Sequence, residues 1–438
     1  MSTPLYDVLK EYARKQPARF HMPGHKGRFL PIPELREAAS LDVTEIPGTG
    51  NLYTAGEPFD TAQELWARRF GFESCQFLTG GSTMGIHTAL SLCCVPGDRV
   101  LVDRNCHRAV FNAMALLDLE PVYLERPWLA DEGIIGHIIP ENVENFLKND
   151  PKIKTVCITS PTYAGVLSDI SAIGKIVATY GGKLFVDGAH GAHLPFLGVD
   201  AFQGADVVVV SAHKTLPAMG QTALLFANGF DPDLIRLRAS IYGTSSPSYP
   251  LMASLDGARA WMEEEGEALY RQAARRVKDL RDKYPCVGEP LFVDPTRLTL
   301  RVKDGCVFAR ELEEQGIYPE MEDGGHVIFI CTAQDLEGNF DRLDEVLEKM
   351  RDKMGDCPAL PAPPLPQRVL SLRQALFSPS VLCPLEESEG KIAACQIAPY
   401  PPGVPVVAPG EIISKKELAY FKQIGYNKRS EVRIVASV

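Results

Sequence analysis

This sequence predicts an α/β fold: a mostly parallel central sheet in a large domain, followed by small C-terminal α/β domains. Three observations predict it. Leu184–Val186 and Val207–Val210 are short, uncharged apolar runs, the pattern of strands buried on both faces of a parallel sheet. The segment joining them, about 20 residues, has room for the crossover that parallel pairing requires. Apolar runs and helix-spaced patterns alternate from residue 60 onward, and the pattern changes after Pro285, as in a chain of more than one α/β domain. A length of 438 residues suits two or three packed domains.

The elements follow in order. Residues 4–16 are predicted helical, with Leu5, Val8, Leu9 and Tyr12 at helical spacing. FHMPGHKG at 20–27 is a loop, because Pro23 and the glycines exclude regular structure. Its two histidines and lysine either bind an anion or tie down a turn. Residues 41–58 are loop-like again, with Pro47, Gly48, Gly50, Gly56 and Pro58, and a long irregular stretch in a compact domain is usually functional or disordered. Thr44, Glu45, Asn51 and Tyr53 are candidates to line a site there. A helix over 60–70 leads into a strand at Cys75–Thr79. The next helical pattern contains His87, which reads as structural. Val100–Asp103, Val122–Leu124 and Thr155–Thr159 are further strands, with helices at 141–149 and 171–180. Tyr163 falls in the loop after the last of these, where it meets a ligand or closes a turn. Leu224–Phe226 is predicted as an antiparallel edge strand.

A hydroxyl-rich turn, Thr244 to Ser248, precedes a long helix over 250–284. Beyond Pro285, strands at Leu298–Val302 and Val327–Ile330 flank a helix at 307–315, with another at 338–352. Residues 357–366, CPALPAPPLP, are a stiff linker. The last segment holds a helix, a Pro-rich loop at 399–409 and Glu411. The expected domains are 1–40, an N-terminal helix and loop; 41–285, the large ligand-binding domain; 286–356, a small α/β domain; and, after the 357–366 linker, 367–438.

The chemistry centres on KLFVDGAHGAHLPFLGVDAFQGADVVVVSAHK, residues 183–214. Asp187 and Lys214 are placed just past the C-terminal ends of two strands, where open α/β sheets bind ligands. A desolvated lysine forms Schiff bases with aldehyde cofactors. An aspartate can hold a pyridine nitrogen protonated, which makes pyridoxal phosphate (PLP) an electron sink. An Asp–Lys salt bridge beside the sheet is the plain alternative. The neighbours favour chemistry. Ser211, His213 and Lys214 put a hydroxyl, an imidazole and an amine within four residues, and Asp187 is followed by small residues that let a flat ring approach. Gly80-Gly81-Ser82-Thr83, between a strand and a helix, reads as a phosphate cup or an ordinary helix cap. His107 opens a helix after the Val100–Asp103 strand and either stacks on a ring or caps the helix.

The chain resembles the PLP-dependent Orn/Lys/Arg decarboxylase family of fold type I. FHMPGHKG (20–27), DVTEIPG (42–48), LTGGSTMGI (78–86), DRNCHRAV (103–110) and SPTYAGVLSDI (160–170) carry the match. So do VDGAHGAH (186–193), SAHKTLPAMGQ (211–221), TSSPSYPLMASLD (244–256) and YPPGVPVVAPGE (400–411), all in the family's order. The resemblance implies PLP on Lys214, with Asp187 at the ring nitrogen and His107 over the ring. It implies cofactor contacts from Gly81, Ser82, Thr83, Ala189, His190, Ser211 and His213. Ser246 is implied to reach a neighbouring subunit's phosphate site in a homodimer. His213 or Lys214 would return a proton after CO2 leaves. The FHMPGHKG loop would lie near the active site and the subunit interface. A basic substrate needs a carboxylate at the far end of its pocket, because a buried unpaired cation is costly; Glu411 and Glu45 are the candidates. Arg297 is the candidate partner for a substrate carboxylate. Two departures stand out: Gly188 occupies a position where the family often has a larger polar residue, and the chain is similar to the short biosynthetic type, without a receiver-like N-terminal domain.

Composition narrows the rest. A net charge of −11 without a basic block argues against nucleic acid as partner. The 11 cysteines are scattered, with no CxxC and no zinc-type spacing, so they read as free thiols in a reducing compartment. MSTPLYDVLKEYARKQ has no hydrophobic signal core, and no apolar run approaches the ~20 residues that span a bilayer. The expectation is a cytoplasmic decarboxylase of arginine, lysine or ornithine serving polyamine metabolism, with a lean to arginine. An aminotransferase on a basic amino acid and a non-enzymatic PLP-binding protein are the alternatives.

Overall fold

The computed structural model carries fourteen strands among its described residues. The structure describes residues 2–335, 337–355, 361–398, 404–426 and 431–436. The strands are β1 (Ser74–Leu78), β2 (Arg99–Asp103), β3 (Glu120–Leu124), β4 (Trp128–Leu129), β5 (Ile134–Ile135), β6 (Ile153–Thr159), β7 (Lys183–Asp187), β8 (Val207–Val210), β9 (Ala223–Ala227), β10 (Arg297–Arg301), β11 (Met321–Glu322), β12 (His326–Ile330), β13 (Ser380–Pro384) and β14 (Glu431–Val435). Seven of them form one sheet in the order β1-β9-β8-β7-β6-β2-β3. β2 runs parallel to β3 and to β6, and β7 parallel to β8. β9 is antiparallel to both β8 and β1.

β9 corrects one expectation. It is antiparallel, as predicted, but it lies inside the sheet, and β1 takes the edge. The physical reason is in its composition: all five residues of ALLFA are buried, which an edge strand open to solvent would not need. β8, four valines, is likewise fully buried.

The chain divides into two compact units, each discontinuous in sequence. The first is Met1–Cys93 with Phe185–Arg271. Its first helix, Pro4–Arg14, buries Leu5 and Leu9. The helix start is held by Asp256, whose Oδ2 accepts the amides of Leu5 (2.9 Å) and Tyr6 (3.1 Å). Side-chain capping of otherwise unpaired amides is the usual reason for an aspartate at a helix N-terminus, though here it comes from 251 residues away in sequence. Burial pushes the Asp256 carboxyl up to about 6, against the two amides and Arg259. A raised carboxyl pKa means the folded chain binds the proton more tightly than the unfolded one. This group therefore stabilises the fold progressively as pH falls from 6 toward 4, and carries its full desolvation cost above 6. Thermal unfolding of wild type and Asp256→Asn from pH 4.5 to 7.5 should show wild type gaining on the variant as pH falls. Parallel curves would show that Asp256 does not titrate in this window.

The second unit is Cys94–Leu184 with Gln272–Val438. β10, β12 and β11 form a three-stranded antiparallel sheet. It packs with the helices Gly305–Glu314 and Glu337–Lys349 into a separate core around Leu298, Phe308, Leu312, Val327 and Leu347. The terminal segment has its own core, built on Ile397, Val407, Ile413 and Phe421, and the two-stranded β13–β14 sheet. Its helices Leu372–Phe377 and Lys415–Gln423 each start with a reciprocal capping box, Ser371/Gln374 and Ser414/Glu417. Residues 357–360 of the expected linker and 399–403 of the expected loop lie outside the described residues. Among the described residues no helix is long and apolar enough to cross a membrane, and no acidic, histidine or cysteine cluster is suited to a metal ion.

Candidate active site

In the first unit, β7 and β8 are parallel, and β1 runs the same way because both β1 and β8 are antiparallel to β9. Residues just past β1, β7 and β8, and just before β9, therefore share one edge. Thr79, Asp187, Ser211 and Thr222 meet there. Asp187 ends β7 with 2% of its surface exposed, and its Oδ1 accepts the Ala189 amide at 3.2 Å. The Gly188 amide bonds the Val209 carbonyl at 2.8 Å, and the Ser211 amide bonds the Ala189 carbonyl at 3.4 Å. These bonds fasten the DGAH stretch to the end of β8.

Lys214 rides on a one-turn helix, Ala212–Thr215, directly after β8. Its Nζ lies 3.0 Å from His190 Nε2, a distance at which an ammonium donates to a neutral imidazole nitrogen. His213 Nδ1 sits 2.8 Å from the Thr222 carbonyl. A carbonyl only accepts, so Nδ1 carries the proton and Nε2 is the basic nitrogen. The Ser211 and Thr79 hydroxyls are buried without a hydrogen-bond partner among the described residues. Buried hydroxyls in native folds are nearly always paired, with protein, water or ligand.

The expected cup is a tight turn followed by the helix Gly81–Cys93. Gly81 adopts φ +70°, and its amide is donated to the Gln221 carbonyl at 2.8 Å. Gly81 thus shapes the turn, and the next amides, from Ser82 and Thr83, lie in the first helical turn, where amides have no partner within the helix. A Cβ on Gly85 would meet Val209 at 2.6 Å and Leu78 at 2.7 Å, so this glycine lets the helix lie close on the sheet. His87, inside the helix, packs edge-on to Tyr242.

Gly188 is explained by Phe202. A Cβ there would meet the Phe202 ring at 2.6 and 2.8 Å, and Phe202 is itself buried. The ring takes the space that a side chain at 188 would need. Gly188→Ser should lower stability by about 1–3 kcal/mol through overpacking, and Phe202→Leu should restore part of it. Equal melting temperatures for Gly188→Ser and wild type would refute this.

The remaining first-unit candidates bond to other partners. Glu45 Oε2 accepts the Thr44 hydroxyl at 2.6 Å. Ser246 is exposed, its amide bonded to Thr244 Oγ1 at 3.1 Å. In the FHMPGHKG loop, His25 Nε2 pairs with Asp42 at 3.0 Å, and Lys26 bonds the His21 carbonyl at 2.6 Å.

In the second unit, His107 caps the helix Arg108–Leu117, Nδ1 accepting the Ala109 amide at 3.2 Å; its proton is therefore on Nε2. The turn leading to it is fastened by Asp103, which accepts from Asn105 and Thr159 amides and from Arg126. Both members of that ion pair are buried. Glu411 is fully buried: Oε2 accepts from Arg104 at 3.1 Å and from the Ala408 amide at 2.6 Å, while Oε1 has no hydrogen-bond partner among the described residues. Burial raises its pKa, and Arg104 opposes that. Arg104 also donates to the Pro405 and Val406 carbonyls, at 2.6 and 2.9 Å. Arg297 is buried beside Asp294, 3.9 Å away. The Tyr163 hydroxyl donates to Glu320 at 2.5 Å.

Sequence reasoning missed several of these residues. Thr79 carried a usable signal, being the last residue of its predicted strand, before the glycine pair. Arg104, Arg126 and Asp103 had none beyond charge, since their partners are distant in sequence.

A lysine and a buried aspartate at the C-terminal edge of a mostly parallel α/β sheet define a class: fold type I, the architecture of many PLP enzymes. An SPT structure with PLP shares it at a TM-score of 0.53 and 14% identity, covering 66% of this chain and 75% of that one. The particular family follows from closer matches. The "Orn/Lys/Arg decarboxylase, major domain" family model matches residues 3–297, and the C-terminal domain of the same family matches residues 373–430. This chain belongs to the Orn/Lys/Arg decarboxylase family and is an amino acid decarboxylase. An arginine decarboxylase of Bacillus subtilis is 30% identical over 458 residues, covering 96% of this chain and 94% of its own. An uncharacterized protein of the same organism is 32% identical over 460 residues, covering 97% and 94%. The structure of the E. coli constitutive lysine decarboxylase aligns with a TM-score of 0.83 and 19% identity, over 99% of this chain and 82% of that one.

Proposed function

We propose that this protein decarboxylates a basic L-amino acid, arginine first, with PLP carried on Lys214. The observation that carries the reading is the sheet edge where Lys214 Nζ meets His190 beside buried Asp187. The two unpartnered hydroxyls fit the cofactor: Thr79, Ser211 and the first amides of the Gly81–Cys93 helix are the donor set a phosphate ester takes. Asp187 would hold the pyridine nitrogen, and His107 is the proposed neighbour of the ring by family resemblance. PLP, when bound, supplies an electron sink for the bond that breaks at the substrate Cα. In its ionised form the buried Asp187 carboxylate would favour a proton on a neighbouring nitrogen. His213, with Nδ1–H tied to Thr222, presents a basic Nε2 and is the group proposed to return a proton to Cα.

Substrate choice leans to arginine on the two-chain coverage of the Bacillus subtilis relative. Its distal cation needs a carboxylate. Glu45 and Glu411 are the proposed partners, Glu411 Oε2 being paired with Arg104 and its Oε1 buried without a hydrogen-bond partner among the described residues, and Arg297 is proposed for the substrate carboxylate. The amine product would feed polyamine synthesis. We further propose a cytoplasmic homodimer with shared sites, in which Ser246 serves the neighbouring subunit. Exposed Leu237 and Ile241, one turn apart on the helix leading to that turn, suit such an interface, and none of the ten described cysteines forms a disulfide.

The test is CO2 release by the PLP-loaded protein with arginine, lysine and ornithine separately. Release with arginine and formation of the matching amine support the reading. Keto-acid-dependent loss of the α-amine without CO2 would replace it with aminotransfer.

A further inference from the structure

The helix that carries Lys214 is a single turn. So short a helix has almost no internal hydrogen bonding, and its last carbonyls have no partner within it. Something outside it must hold the backbone on which the amine rides. The Thr215 carbonyl, immediately after Lys214, accepts a hydrogen bond from the Tyr270 hydroxyl. The Thr215 hydroxyl is buried without a partner among the described residues, so it is the carbonyl, not the side chain, that fastens this residue to Tyr270.

Tyr270 is fully buried and so is His193. Their rings stack, 5.2 Å between centroids and 23° between planes. His193 closes the DGAHGAH stretch that begins at Asp187. The aspartate motif and the lysine motif therefore meet on one phenol.

Tyr270 reaches this place through an irregular helix. Tyr249–Trp261 continues through a π-helical segment, Met262–Gly266, into Glu267–Lys283. One extra residue in a turn rotates everything beyond it by about 100° relative to an unbroken α-helix. Gly266 makes the segment possible, because a Cβ there would meet Met262 Sδ at 2.5 Å and Trp261 Cζ3 at 2.8 Å.

We propose that Tyr270 is a positioning residue for Lys214: its hydroxyl, backed by the His193 ring and aimed by the π turn, holds the Thr215 carbonyl. The proposal rests on Lys214 being the cofactor-bearing lysine. Tyr270→Phe tests it, because the ring and its stack remain and only the hydroxyl goes. The expected result is a Kd for PLP raised about tenfold, the effect of one lost buried hydrogen bond. The pH midpoint of the PLP absorbance change should also move, with KM for the amino acid at saturating PLP within about twofold. Hydrogen exchange gives a readout without cofactor: the peptide spanning 211–216 should exchange faster in the variant while β7 and β8 stay protected. An unchanged Kd, an unchanged midpoint and unchanged exchange, with only a lower melting temperature, would make Tyr270 a packing residue and overturn the proposal. Should the variant not fold, Gly266→Ala, whose Cβ would meet Met262 and Trp261, is the second variant, and there a faster-exchanging 211–216 peptide with an unchanged PLP Kd overturns the proposal equally. Borohydride reduction of PLP-loaded wild type, followed by peptide mapping, separates the two failures. A label elsewhere than Lys214 defeats the lysine assignment itself; a label on Lys214 with a silent Tyr270→Phe defeats only the positioning role.

Discussion

Lys214→Ala releases no CO2 from arginine, lysine or ornithine above background, a loss of about 10⁴-fold or more, as when an enzyme loses the group its other residues serve. The protein still folds. Lys214 is half-buried on a one-turn helix, and alanine is the residue that helices tolerate best. Far-UV circular dichroism and melting temperature should therefore stay near wild type. The measurement is CO2 release at saturating PLP and substrate, beside wild type. Turnover within tenfold of wild type would remove Lys214 from the chemistry and leave His190 and His213 as bystanders.

The second large effect is expected at Asp187. Asp187→Asn keeps the shape and the acceptor for the Ala189 amide but removes the charge. Removing one preorganised electrostatic partner from a buried site costs about 10²–10³ in kcat. KM should move little, because the proposed role of Asp187 is at the cofactor's ring nitrogen rather than at the substrate. A raised KM with kcat unchanged would instead assign Asp187 to substrate binding. The two variants also divide the labour: Lys214→Ala abolishes the Lys214-dependent absorbance, whereas Asp187→Asn retains it.

Much of this site was legible because its parts are local. Asp187, Gly188, Ala189 and His190 are consecutive, as are Ser211 to Lys214, and each group directly follows an apolar run. A strand's end can be read from where its apolar residues stop, and strand ends are where such sheets bind ligands. The β9 error had the opposite character. Its five apolar residues identify a buried strand, but nothing local says which neighbours pair with it, and pairing with both β1 and β8 moved it off the edge. Charge pairing has the same character. Nothing near Glu411 in the chain announces Arg104, which stands 307 residues away and donates to its Oε2.

The sequence by itself determined the alternation of strands and helices and the sheet edge at which Asp187 and Lys214 stand. Those depend on periodicity and on residues close in the chain, where geometry follows from the backbone alone. Tertiary structure alone decided which side chains share a site. It put His190 on Lys214, Phe202 in the space of a side chain at Gly188, Tyr270 behind Thr215, and Arg104 against Glu411. Each of these joins segments that are apart in the chain. A hydrogen bond or ion pair holds over only a few ångströms, so its partner is set by packing, and packing is a property of the whole fold.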